Sequence, residues 1–100
     1  MLQHYVFLKF RTDTSDAHVT DFGTRMLALG DAIGGIQHLE IGRDELHEPR
    51  SWDLVLIMAF ESVDALREYQ RDPLHVALMA FNEPFVADVA SVDFTRGDQR

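Results

Sequence analysis

The sequence predicts one α+β domain whose strands and helices follow in the order β-α-β-β-α-β. Its 100 residues suit a single domain and leave no room for a second. Hydrophobic residues make up 46% of the chain, which is typical of a globular protein rather than a disordered one. Short apolar runs alternate with segments whose apolar residues recur every three or four positions, as expected for strands and amphipathic helices.

The first strand is predicted over residues 3–10, and both of its alternating residue sets are largely apolar. One set is Leu2, His4, Val6, Leu8 and Phe10, and the other is Gln3, Tyr5, Phe7 and Lys9. A polar turn over 12–16 can supply a helix N-cap. The helix after it carries a narrow apolar stripe and ends at Gly34-Gly35. That stripe consists of Val19, Phe22, Met26, Leu29 and Ile33.

Two further strands are predicted over 36–42 and 52–61, joined by a polar hairpin loop over 43–51 that contains Pro49. The third strand is the most apolar part of the chain. Its two faces carry Trp52, Leu54, Leu56, Met58 and Phe60 on one side and Val55, Ile57 and Ala59 on the other.

The second helix is predicted in two pieces. Ser62 can cap the first piece, and Asp72-Pro73 restarts the helix, because Asp is a good N-cap and Pro suits the first helical position. Pro84 should end the second piece. Its apolar stripe is Leu74, Ala77, Leu78, Phe81 and Phe85.

A last strand is predicted over 89–95 and a loose tail over 96–100, so the domain spans residues 1–95. The element order is that of a ferredoxin-like fold with a four-stranded antiparallel sheet.

This topology places both helices on one face of the sheet and predicts a homodimer. The other face would expose Tyr5, Phe7, Val55 and Ile57 as one apolar patch, and soluble monomers rarely expose such a patch. Packing two such sheets face to face would bury it and produce a dimeric α/β barrel. The alternative, a monomer whose loops cover the patch, lacks a loop of sufficient length.

Charge and composition exclude several classes of partner. The net charge of −8 argues against nucleic acid and against an anionic membrane, since both require a basic surface. The chain contains no cysteine, which excludes disulfides and thiolate chemistry. No basic leader segment and no long apolar stretch is apparent, so a cytoplasmic protein is expected.

A candidate acid/base site lies where the second helix breaks above the sheet. His75 would occupy the third helical position, where the helix dipole disfavours the imidazolium, and a neutral histidine is a competent general base. The phenol of Tyr69 can donate to a carbonyl or a developing enolate. His4 is the polar ring on the strand face beneath the helices. Asn82 shares a helix face with His75 and could orient the imidazole or a ligand.

Structural alternatives exist for each of these polar residues. His4 could be a hydrogen-bonded core histidine, and Asn82 a helix-end residue before Glu83-Pro84. His38 and Glu40 share a strand face and could form half of a metal site, although an ordinary polar strand face is favoured. His18 and His47 are predicted to be surface residues.

The chain resembles the stress-responsive dimeric α/β-barrel (Dabb) domain family, related to olivetolic acid cyclase-type proteins. The resemblance runs from His4 to Phe94 and depends on an ordered set of segments rather than one motif. These are residues 4–10, 35–42, 53–56, 60–62, Tyr69, Asp72-Pro73-Leu74-His75 and Val92-Asp93-Phe94.

The resemblance implies a ferredoxin-like dimer and, in the cyclase-type members, a cofactor-free aldol-type cyclisation. Their catalytic histidine and tyrosine match His75 and Tyr69, and their strand histidine matches His4. A tyrosine on their first helix aligns with Met26, which removes a polar group from the pocket. We expect a small hydrophobic ligand in a pocket between sheet and helices. Its expected lining residues are Asn82, Met26, Phe22 and Leu78.

Three functional hypotheses follow. The first is a cofactor-free enzyme with His75 as base, Tyr69 as oxyanion stabiliser and His4 as a supporting pocket group. The second is a non-catalytic binding or structural dimer in stress protection. The third is a metal-dependent activity that uses the histidines. A cofactor-independent monooxygenase is a further possibility by shared fold alone.

Overall fold

A computed structural model describes residues 1–97 and has a four-stranded antiparallel sheet in the order β2-β3-β1-β4. The elements are β1 (Leu2–Phe10), α1 (Asp16–Ala32), β2 (His38–Arg43), β3 (Leu54–Phe60), α2 (Val63–Arg71), α3 (Pro73–Asn82), a 3₁₀ turn (Glu83–Phe85) and β4 (Val86–Thr95). The predicted α+β, ferredoxin-like order is confirmed. The predicted loose tail over 96–100 lies partly outside the described residues.

Side-chain caps start the three α-helices, as the sequence predicted. Ser15 accepts a hydrogen bond from the His18 amide, and Ser62 accepts one from the Ala65 amide. Asp72 ends α2 and also caps α3 by accepting from the Leu74 amide, with Pro73 directly after it. One residue therefore redirects the chain between the two helices, and Tyr69 and His75 lie on either side of it.

The core lies between the helices and one face of the sheet, which we call the covered face. The β1–β3 register pairs His4 with Met58 and Val6 with Leu56, so these side chains share that face. Phe22 and Met26 of α1 are fully buried against it. The predicted division of β1 and β3 into two faces is therefore confirmed for residues 54–60 of β3. It is wrong for Trp52, which precedes β3 and packs beside Phe7 of the opposite face, with ring centroids 6.4 Å apart.

The opposite face, which we call the open face, has no helix over it. Tyr5, Phe7, Val55 and Ile57 lie there and are half-buried. The β1–β4 register adds two more exposed apolar side chains from the edge strand. These are Val92 and Phe94, which are 55% and 42% exposed.

Several boundaries and one apolar stripe differ from the predictions. β4 starts at Val86 rather than at residue 89, because a register shift lets Val86 pair with Phe10. β2 starts two residues later than predicted, and β3 is shorter at both ends. In α3, Leu74 is 50% exposed, because the buried positions of this helix are Leu78 and Asn82. Within residues 1–97, no helix has the length and apolarity needed to cross a membrane.

Candidate functional site

A cavity of about 240 Å³ lies between the covered face and helices α1–α3. Most of its wall is apolar, and among residues 1–97 no lysine or arginine lines it. Its lining residues are His4, Val6, Leu8, Phe22, Leu56, Met58, Tyr69, His75, Met79, Asn82, Glu83, Val86 and Val89. An apolar cavity with a few polar groups is the usual form of a small-molecule site, and this one is smaller than the common range of about 300–1,000 Å³.

His75 has one ring nitrogen bound to the backbone and the other without that contact. Its Nδ1 lies 3.1 Å from the Gln70 carbonyl oxygen, which can only accept a hydrogen bond, so Nδ1 carries the proton. Nε2 of the neutral ring therefore keeps its lone pair. Burial lowers the pKa of His75 below its ordinary value of 6.5, and nearby His4 lowers it further. The hydrogen bond to Gln70 and the charge of Asp72 raise the pKa, but they do not outweigh the lowering.

Tyr69 lies beside this imidazole, and the two ring centroids are 4.4 Å apart. The tyrosine is 3% exposed, and burial raises the pKa of its phenol far above the ordinary value of 10.0. The hydroxyl thus stays protonated and serves as a donor. Within residues 1–97 the Tyr69 hydroxyl has no hydrogen-bond partner. Every completely buried side-chain oxygen or nitrogen in the same residues does have a partner, so this hydroxyl is not completely buried. The hydroxyl therefore keeps some accessible surface, and Tyr69 lines the cavity.

His4 pairs with an acidic residue that was not among the predicted site residues. Its Nδ1 contacts Oδ1 of Asp93, which the β1–β4 register places directly opposite on the covered face. The His4 side chain is 9% exposed and the Asp93 side chain 40% exposed, so the carboxylate reaches a largely buried ring from the edge of the sheet. This contact fixes the His4 tautomer and leaves Nε2 for the cavity.

The structure brings together some of the predicted lining residues and not others. Phe22 and Asn82 line the cavity together with the three predicted acid/base residues. Met26 and Leu78 do not line it: Met26 is fully buried in the core, and Leu78 faces a separate groove between α1 and α3. Asn82 shares the His75 helix face as expected, but its side-chain oxygen contacts His18, 2.8 Å away, instead of His75.

The prediction that His18 is a surface residue is wrong. Its ring stacks on Phe85 with centroids 3.8 Å apart and on Phe81 at 5.0 Å. Both phenylalanines belong to the C-terminal part of the chain, so spacing along the sequence could not reveal the contact. His47 is a surface residue as predicted, with a 77% exposed side chain.

The metal hypothesis gains no support from the arrangement of ligands. Nε2 of His38 lies 3.4 Å from Oε1 of Glu40 on an exposed strand face. In the described part of the chain, no third histidine, aspartate or glutamate joins them or forms another such group.

The family model of the stress responsive A/B barrel domain (Dabb) matches residues 2–96. None of the curated proteins matches the chain.

Solved structures share the whole fold. A dimeric ferredoxin-like protein of unknown function from Thermobifida fusca has 23% sequence identity and a TM-score of 0.85, covering 95% of this chain and 90% of its own. A dimeric protein of unknown function from Bacteroides fragilis has 26% identity and a TM-score of 0.81, covering 93% of both chains. A hydroxynitrile lyase from Passiflora edulis has 13% identity and a TM-score of 0.84, covering 99% and 95%.

Proposed function

This chain belongs to the stress responsive A/B barrel domain (Dabb) family, and we propose that it binds a small hydrophobic carbonyl compound and catalyses cofactor-free acid/base chemistry on it. His75 is the proposed base and Tyr69 the proposed oxyanion stabiliser. The observation that carries the proposal is their adjacency in one apolar cavity, with opposite protonation preferences. Burial keeps the imidazole neutral and the phenol protonated, as a base and a donor must be.

The proposed step is proton abstraction next to a carbonyl. His75 Nε2 takes a proton from the α-carbon, the electron pair of the C–H bond forms a C=C double bond, and the π electrons of the carbonyl move to its oxygen to give an enolate. The Tyr69 hydroxyl donates a hydrogen bond to that oxygen. The enolate carbon then attacks a second carbonyl of the ligand in an aldol-type cyclisation, or it takes the proton back. In the cyclisation, His75 returns its proton to the new alkoxide, so no oxidant or reductant is consumed.

His4 supports the site but does not transfer a proton in this step. Its Nδ1 is occupied by Asp93, so Nε2 is the atom available to the ligand or to an ordered water. The neighbouring His4 also lowers the pKa of His75, which favours the neutral base.

Deuterium exchange tests the proton abstraction directly. Linear aliphatic ketones are incubated with the protein in D₂O, and loss of the α-proton signal is followed by NMR. We expect His75→Ala to slow protein-catalysed exchange by about 10²–10⁴-fold and Tyr69→Phe by about 10²–10³-fold. The control is His47→Asn, which changes an exposed histidine with a φ of 52° to a residue that tolerates this backbone region.

The second candidate is a binding protein without turnover. The apolar wall and the small volume of the cavity support it as well as they support catalysis. Ketones that bind the wild-type chain while exchange stays at the rate in buffer would select this candidate and reject catalysis.

We also propose that the protein is a homodimer joined through the open face. The support is its apolar surface, extended across β4 by the exposed Val92 and Phe94. The relatives from Thermobifida fusca and Bacteroides fragilis are described as dimeric. The predicted cytoplasmic location and the predicted lack of nucleic-acid and membrane partners stay predictions.

A further inference from the structure

Asn82 lies at the end of the cavity remote from His75. It is the last residue of α3 and is 3% exposed, yet it lines the cavity. Seven residues separate it from His75 on the same helix, so the two positions are about 10 Å apart along the helix axis. The cavity therefore has polar groups at both ends and an apolar middle formed by side chains such as Val6, Phe22 and Met79.

The orientation of the Asn82 amide is fixed from α1. Its Oδ1 lies 2.8 Å from His18 Nε2, which donates the hydrogen bond. The His18 ring is itself held by stacking on Phe81 and Phe85 and by an edge contact with Phe10 at 6.2 Å. With Oδ1 engaged in this way, the amide Nδ2 points away from His18.

That nitrogen has no hydrogen-bond partner within residues 1–97. No side-chain nitrogen or oxygen in the same part of the chain is both buried and unpartnered, so Nδ2 keeps some accessible surface, and the residue that carries it lines the cavity. The charged residue nearest in sequence is Glu83, which is exposed and also lines the cavity. A carboxylate at this end disfavours an anionic ligand group, since no lysine or arginine of the described residues lines the cavity. A neutral oxygen is left as the matching acceptor.

We propose that Asn82 is a specificity-determining residue whose Nδ2 donates a hydrogen bond to a neutral oxygen of the ligand, with His18 as its positioning residue. The proposal rests on the function proposed above and narrows its substrate class. The ligand is an elongated carbonyl compound with an apolar middle. Besides its reacting carbonyl groups, it has a further carbonyl, ether or hydroxyl oxygen about 10 Å from the carbon that His75 deprotonates.

Two probes of equal chain length test the proposal by their dissociation constants, measured by calorimetry. One is a linear methyl ketone with a plain alkyl tail, and the other carries a second ketone about 10 Å along that tail. We expect the wild-type chain to bind the diketone roughly fivefold to tenfold more tightly, the worth of one neutral hydrogen bond.

Two substitutions locate the preference at Asn82. Asn82→Asp keeps an acceptor for His18 but removes the donor, and Asn82→Leu removes both polar groups at similar size. Each variant is first checked for cooperative thermal unfolding. Both are expected to bind the two probes equally or to prefer the monoketone.

The results distinguish the role of Asn82 from the ketone binding on which it depends. Equal wild-type affinities for the two probes, or a diketone preference that survives in a folded Asn82 variant, would overturn the role of Asn82 and leave ketone binding intact. Failure of both probes to bind the wild-type chain would overturn the proposed function, and this inference with it.

Discussion

A double-mutant cycle on His4 and Asp93 tests whether their contact contributes to stability. Asp93→Ala removes the carboxylate and leaves a largely buried imidazole N–H without its partner, which costs about 1–3 kcal/mol. His4→Leu leaves Asp93 unpaired, but that side chain is 40% exposed and water can hydrate it. The second substitution should therefore cost less than the first.

The exposures of the two side chains set the expected coupling. Exposed ion pairs are worth about 0.2–1 kcal/mol, and breaking fully buried ones costs about 3–5 kcal/mol. With one partner 9% and the other 40% exposed, we expect a coupling free energy of about 1–2 kcal/mol. For a domain of this size, Asp93→Ala should lower Tm by about 4–8 °C for each kcal/mol lost.

The free energies of unfolding are measured by urea titration of the wild type, both single variants and the double variant. All four are compared at the same protomer concentration, because dimer formation would make stability depend on concentration. A coupling below about 0.3 kcal/mol lies within the error of simple additivity and would refute the contact as a stabilising pair.

Four further predictions concern the base, helix α1 and the open face. The rate of ketone exchange should be constant above about pH 7 and decrease as pH falls, with a midpoint below 6.5, because the lowered pKa of His75 keeps the base neutral. A midpoint above 6.5 would contradict this. The unfolded chain binds a proton at this histidine more readily than the folded chain, so the free energy of unfolding should also decrease as pH falls below 6.5. Gly23→Ala should raise the free energy of unfolding by up to about 1 kcal/mol, since a Cβ there meets nothing within 4 Å. Gly30→Ala should raise it less, because the new Cβ would lie 2.8 Å from a side-chain carbon of Leu39. Equal gains for the two variants in urea titrations would reject this steric difference. Ile57→Lys should convert a dimer into monomers in sedimentation velocity, and either a monomeric wild type or a dimeric variant would count against the open face as the interface.

Local signals were sufficient for most of the fold. The alternation in β1 predicted which side chains of that strand lie on the covered face, and the Asp72-Pro73 pair predicted the break between α2 and α3. These features depend on neighbouring residues alone. The start of β4 was missed because pairing of Val86 with Phe10 follows a register shift between distant strands.

The candidate site could be predicted only in part for the same reason. His75 and Tyr69 lie six residues apart around a recognisable helix break, and the structure places their rings in contact. Asp93 was absent from the predicted site, because its place opposite His4 is set by the register of β1 with β4. The His18–Asn82 contact depends on how α1 packs against α3, and no periodicity in either helix encodes it.

The central position of β1 also has a consequence for the order of folding during synthesis. β1 is translated first, but its two neighbours in the sheet are β3 and β4, and Leu2 pairs with Phe60 on one side and Thr95 on the other. At about 5–20 residues per second, the ribosome needs roughly 5–20 s to deliver the intervening chain. Until β3 emerges, β1 is an apolar segment with two unpaired edges, and the edge that pairs with β4 stays unpaired to the end of the interval. Chaperone binding to nascent chains should therefore be strongest before β3 emerges.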